Sequence, residues 1–232
     1  MKKALMIIFL FCSLQSFSQS GTIGSSSPSR NNFIGTFKSL DPLKTSNYKN
    51  YQNVKGSQYL DENFTNSTIL YEDNDSVSNI KLRYNIIDDS FEIIKRGNLH
   101  KVKKDDNIKK ITIDKNSFCY KSIKGEPSNT IVQIIYDHKI KLYLKHQAHF
   151  FKATTTDGYN EAKPNRFEIS APKLYLKTPF KDSLIRIKSL KDFSKIFPRN
   201  KSEIKKFIKK NKIKIDNKDQ LIQLALYLED IA

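Results

Sequence analysis

The sequence predicts a mainly β, α+β fold: an antiparallel meander forming a curved sheet, barrel or sandwich, followed by a small C-terminal helical unit. Three observations carry this. Apolar and polar residues alternate from about residue 57 onward, which is the period of a strand with one buried face. The alternating stretches recur at roughly 10–15 residues and are joined by turn-forming residues, not helices, as expected for antiparallel neighbours. Near residue 188 the apolar spacing changes to that of an amphipathic helix. The chain therefore divides into a leader at 1–18, an irregular segment at 19–56, a β domain at 57–188 and a helical unit at 189–232.

The leader reads as a signal peptide. Lys2 and Lys3 precede an apolar run, Ala4 to Cys12, too short to span a bilayer as a mature helix. Ser16 and Ser18 place small residues at the −3 and −1 positions of a cut after Ser18. Cys12 follows Phe11, not the small residue that precedes a lipid-modified cysteine. Once the leader is removed, Cys119 is the remaining cysteine of the two, so no intrachain disulfide can form. The mature chain must hold together by its core. Residues 19–32, rich in Ser and Gly, read as flexible, and 33–55 as irregular structure with scattered aromatics.

The strands follow in order. Ile80, Leu82, Tyr84 and Ile86 alternate with Lys81, Arg83 and Asn85; Asp88-Asp89 turns the chain; Phe91 and Ile93 resume the alternation. That is a β-hairpin. Ile111 and Ile113 mark a strand, Asp114 to Asn116 a turn, and Phe118-Cys119-Tyr120 its return. After the break at Gly125 to Ser128, Val132, Ile134 and Tyr136 pair through Asp137-His138-Lys139 with Ile140, Leu142 and Leu144. Phe167 with Ile169, Leu174 with Leu176, and Ile185 with Ile187 supply three further short strands.

Three capping boxes open the helical unit: Ser189 with Asp192, Asn200 with Glu203, and Asn217 with Gln220. Pro198 ends the first helix. In the second, Ile204, Phe207 and Ile208 share one face and Lys205, Lys206, Lys209 and Lys210 the other. The third, from Leu221 to Leu228, is apolar on most sides and must bury itself.

Composition narrows the function. The 232 residues include 41 Lys+Arg and 24 Asp+Glu, a net charge of +17, yet only six of the basic residues are Arg. A lysine-rich, arginine-poor surface lacks the planar forks that read phosphates and bases, so no nucleic-acid partner is expected. The charge concentrates between Lys195 and Lys214, with Lys201, Lys205, Lys206, Lys209, Lys210, Lys212 and Lys214 as the candidate anion- or partner-binding residues. Such a patch attracts lipid phosphates or acidic polysaccharide in a salt-sensitive way. The bland alternative is a solvated helix face.

Motifs of catalysis and metal binding are sparse. His146 and His149 have a metal-ligand spacing for a helix, but on a strand they point to opposite faces. Glu72 to Asp75 begins like a calcium loop, yet Ser78 and Tyr84 stand where that loop needs Gly and Glu. No nucleophile elbow, phosphate loop or dinucleotide fingerprint is present. No cofactor, metal site or catalytic residue is assigned.

Two stretches resemble a known group. Gly56-Ser57-Gln58-Tyr59-Leu60-Asp61-Glu62-Asn63-Phe64, followed by Leu82-Arg83-Tyr84-Asn85 and Phe91-Glu92-Ile93, resembles a segment of secreted Bacteroidota proteins of unknown function. The tail from Lys191-Asp192-Phe193 through Phe197-Pro198 to Lys209 is similar to the C-terminal helices of such proteins. The resemblance implies export and a shared architecture, and transfers no binding or catalytic residue. The expectation is an exported protein, periplasmic, envelope-associated or secreted, that binds an anionic envelope component (lipid phosphate or acidic polysaccharide) or envelope protein through its basic helix. The alternatives are a carrier with an apolar cavity in the sheet, and a hydrolase whose site would bring His146 or His149 to a carboxylate.

Overall fold

The computed structural model describes residues 40–42, 54–127, 129–156, 158 and 161–231. The leader expected at 1–18, its cut after Ser18 and most of segment 19–56 lie outside the described residues. The described residues form eleven strands: β1 (Leu40–Pro42), β2 (Thr65–Tyr71), β3 (Ser76–Asn85), β4 (Ser90–Lys95), β5 (Asn98–Val102), β6 (Ile108–Ile113), β7 (Asn116–Lys121), β8 (Thr130–Asp137), β9 (Lys141–Phe151), β10 (Arg166–Thr178) and β11 (Lys181–Ile187). Three helices follow: α1 (Leu190–Ile196), α2 (Lys201–Lys210) and α3 (Lys218–Ile231), with a 3-10 turn at Pro198–Asn200. The fold is thus mainly β, with an antiparallel sheet and C-terminal helices.

One sheet holds all the strands in the order β1-β5-β4-β3-β2-β6-β7-β8-β9-β10-β11, and every pairing between strands is antiparallel. Turn chemistry sets the register. Arg96 and Gly97 both have positive φ, 51° and 78°, between the paired Lys95 and Asn98, which is the two-residue turn whose twist matches that of a hairpin. Strands β2 and β5 have weaker alternation than their neighbours, and the sequence reading did not single them out. The segment at 19–56, expected to be irregular, supplies edge strand β1, which pairs with β5.

The sheet bends back on itself. Phe91 on β4 and Phe118 on β7 have ring centroids 5.7 Å apart. Those strands are four positions apart in the sheet order, about 19 Å on a flat sheet. Tyr84 on β3 likewise sits 5.7 Å from Phe118 and 6.4 Å from the ring of His146 on β9. A bulge supplies some of this bend: Ser67 faces Ile80 but Ile69 faces Val77, and the extra residue Asn79 has φ 59°. The space enclosed by the bend is filled by Ile69, Leu82, Tyr84, Phe91, Ile111, Phe118 and Ile131, all 2% exposed or less.

The helices cover the other part of the sheet. Phe193, Ile204, Leu221, Leu224 and Leu228 pack on Ile140, Leu142, Leu174 and Leu176, forming a second apolar cluster. The helical unit therefore shares its core with the sheet, as its small size requires. Glu229 ties the last helix down: its carboxylate accepts the Ile140 backbone N–H at 2.8 Å and the Tyr136 hydroxyl at 2.9 Å.

The two short strands expected at 167–169 and 174–176 are one long strand, β10. Opposite β9, the stretch from Ser170 to Lys173 spans one residue more than its partner from Gln147 to Lys145. The bulge absorbs Pro172, which has no N–H to give a ladder. Of the three capping boxes, the first is held by the Asp192 carboxylate, which accepts the Ser189 N–H at 2.9 Å. The second does not form, because the 3-10 turn leads directly into α2 and Asn200 makes no side-chain cap. In the third, Asn217 Oδ1 accepts the Gln220 N–H at 3.0 Å, while Gln220 turns its own carbonyl to the Lys214 N–H at 2.8 Å.

Candidate functional site

The predicted basic face is built on α2. Ile204 is fully buried and Phe207 stacks on Tyr227 of α3 at 4.0 Å, so the apolar side of α2 is fixed against its neighbours. Lys201, Lys205, Lys206, Lys209 and Lys210 are consequently held outward, and all five are exposed. The helix ends at Lys210, so Lys212 and Lys214 belong to the connection into α3, where both are also exposed. Lys212 has φ 49° and donates its N–H to the Lys209 carbonyl, while Ile213 donates to that of Ile208. That pattern is a Schellman stop with lysine where glycine is usual. Among the described residues, none of these seven lysines is in an ion pair.

A pocket of about 480 Å³ lies beside this face, between β9–β11 and the connection into α3. Its apolar lining is Leu144, Leu174, Ile187, Ile215 and Leu221. The β10 bulge contributes Ala171 and Pro172, and the polar lining is His146, Lys173, Arg186, Lys188, Asp216 and Lys218. No local sequence pattern groups these residues, because they come from four separate elements and the connections between them.

His146 lies where the two apolar clusters meet. Its Nε2 is 2.9 Å from Gln133 Oε1, which also accepts from Lys218 Nζ at 3.4 Å. Burial, then Lys218 and Lys145, push the imidazole down to about 4. It is therefore neutral in the folded state at pH values where the unfolded chain, near 6.5, takes up a proton. Stability should fall as pH drops from about 6.5 to 4, with up to about 3 kcal/mol from this group. Urea unfolding of the wild type and His146→Gln across that range checks it: the variant should show the shallower fall, and equal slopes would refute it. His149, as expected for the opposite face of β9, is exposed. Among the described residues no histidine is hydrogen-bonded or ion-paired to a carboxylate. Cys119 is buried, and burial pushes its thiol up to about 11.

Two further polar clusters went unseen in the sequence. In one, Arg83 is held between the rings of Tyr59 at 3.7 Å and Phe64 at 4.4 Å. Its Nε and Nη2 meet Glu92 Oε2 at 2.9 and 2.8 Å, and Asn85 donates to Glu92 Oε1 at 2.9 Å. The stretches 56–64, 82–85 and 91–93 thus converge in space. In the other, Asp89 sits where the β8–β9 ladder stops at Gln133 and Leu144. Its carboxylate accepts from the Ile131 backbone N–H at 3.2 Å, the Tyr84 hydroxyl at 2.8 Å, Lys104 at 3.0 Å and Lys145. Burial alone would raise the Asp89 carboxyl, but Lys145 and Lys104 outweigh it and hold it below the usual range. Both clusters are held by internal partners: the first ties segment 59–64 to β3 and β4, and the second ties the β3–β4 turn to β8 and β9 across the bend.

The remaining sequence candidate, Glu72 to Asp75, is the turn between β2 and β3, with Asn74 at φ 68°. Among the described residues no group of three or more His, Cys, Asp or Glu could hold a metal ion. No described helix is long and apolar enough to cross a membrane. Comparison with protein-family models, curated proteins and solved structures finds no match to this chain.

Proposed function

We propose that this is an exported, envelope-associated binding protein that contacts an anionic surface or partner through the lysines of α2 and the connection after it. The observation that carries the reading is the set of seven exposed lysines, free of ion pairs, on a helical unit whose apolar side is locked into the core. The rigid helix backbone keeps these cations on one side of the molecule and concentrates positive potential there. Export rests on the leader at 1–18 and on the resemblance of 56–64, 82–85 and 91–93 to secreted proteins. Binding rather than catalysis is favoured because His146 is engaged by an amide and the Cys119 thiol is buried and protonated. The curled sheet fits a barrel closed through residues 55–60. Lys55 bridges to β10, and Leu60 donates its N–H to the Tyr84 carbonyl of β3 at 3.0 Å.

Sedimentation with vesicles of anionic phospholipid tests the proposal, with retention on an acidic polysaccharide as a second arm. Binding should be strong at low salt and fall steeply as salt rises. Reversing Lys205, Lys206, Lys209 and Lys210 to Glu should weaken it at least about tenfold, with thermal unfolding unchanged. Absence of binding on both supports at low salt would sink the reading.

A further inference from the structure

We propose that the pocket between β9–β11 and the connection into α3 is a binding site for a small amphiphilic anion: an apolar body of acyl-chain type bearing one carboxylate head. Its volume, about 480 Å³, lies within the range of small-ligand sites, about 300–1,000 Å³. The two ends of the pocket differ in chemistry. Leu144, Leu174, Ile187 and Leu221 are each 6% exposed or less and form an apolar floor. The rim carries four cations, Lys173, Arg186, Lys188 and Lys218, against one acid, Asp216. Lys173 is already neutralised by Glu126 at 2.8 Å. Arg186, Lys188 and Lys218 are exposed and join no ion pair among the described residues.

That arrangement selects by charge as well as by apolarity. An anionic head gains from three unpaired cations at the rim, and a cationic head of the same length meets repulsion. The β10 bulge at Ala171-Pro172 forms part of the pocket wall. Bulges recur next to active sites. Burial does most to depress His146 in the pocket wall, and Lys218 at the rim pushes in the same direction. The pocket is separate from the outward lysines of α2, so the inference stands or falls apart from the surface-binding reading.

The test uses decanoate below its micellar concentration, with decanol and decyltrimethylammonium as neutral and cationic controls. Calorimetric titration is combined with amide-shift mapping on the full mature chain. Decanoate should bind saturably, with the largest shifts at Ala171, Lys188 and Lys218, and at least about tenfold more tightly than the cation. Arg186→Gln with Lys188→Gln, both at exposed positions, should weaken it about tenfold without altering the melting curve. Ala171→Trp should obstruct the mouth and do the same. The quadruple Glu variant of α2 should bind decanoate as the wild type does. Lack of saturable binding, equal affinity for the cation, or shifts centred on α2 would each overturn the proposal.

Discussion

Replacing Arg83 by alanine should destabilise the protein by about 3–5 kcal/mol, because it leaves the Glu92 carboxylate buried without its cation. The Glu92 side chain is 0% exposed and that of Arg83 15%, so water cannot take over the lost contact. The guanidinium also fills the gap between Tyr59 and Phe64, so the substitution removes packing as well as charge. Glu92→Gln should cost less, since the amide retains a partner for Arg83 or Asn85 and leaves no buried anion. Adding Glu92→Gln to Arg83→Ala should recover part of the loss, which identifies the stranded charge as its main source. Urea unfolding of the three variants measures this. A loss below about 1 kcal/mol for Arg83→Ala, the level of a surface pair, would show that the buried pair contributes little to stability.

Gly56→Ala is expected to cost about 2–3 kcal/mol, for two independent reasons. Gly56 has φ 80°, a conformation that side chains disfavour. A Cβ there would also stand 2.5 Å from the Phe167 carbonyl oxygen, and backbone oxygen cannot swing aside as a side chain can. The strain falls on the contact that joins the chain before β2 to β10: Lys55 donates to the Asn165 carbonyl at 2.9 Å and accepts from the Phe167 N–H at 2.8 Å. Hydrogen exchange should therefore accelerate first at the Phe167 amide, ahead of the amides of β3 and β4. Unchanged thermal unfolding together with unchanged exchange at Phe167 would refute this account.

Both predictions concern residues that the sequence displayed without explaining. Gly56 and Tyr59 stood in one stretch, Arg83 and Asn85 in a second, and Glu92 in a third. Alternation alone read Arg83 and Asn85 as the solvent side of a strand. In the fold Asn85 is 1% exposed and Glu92 is buried. Their burial depends on segment 58–60 being laid across the end of β3, a contact between residues about 25 positions apart that no local pattern encodes. The lysine face was legible because a helix carries its own geometry: residues three and four apart share a side wherever the helix is placed. The pocket was not, because Leu144, Ala171, Arg186 and Lys218 meet only through the order of strands and the docking of α3.

By itself the sequence determined most of the strands and the three C-terminal helices, where most turns fall, and that α2 presents lysines outward while burying Ile and Phe. These follow from interactions within a few residues: side-chain period, turn conformations and caps. The tertiary structure alone decided that β4 comes to lie against β7, that Asp89 sits where the β8–β9 ladder stops, and that the β10 bulge lines a space rimmed by cations. Those outcomes rest on burial and charge pairing between distant parts of the chain, whose free energy exists only once those parts have been brought together.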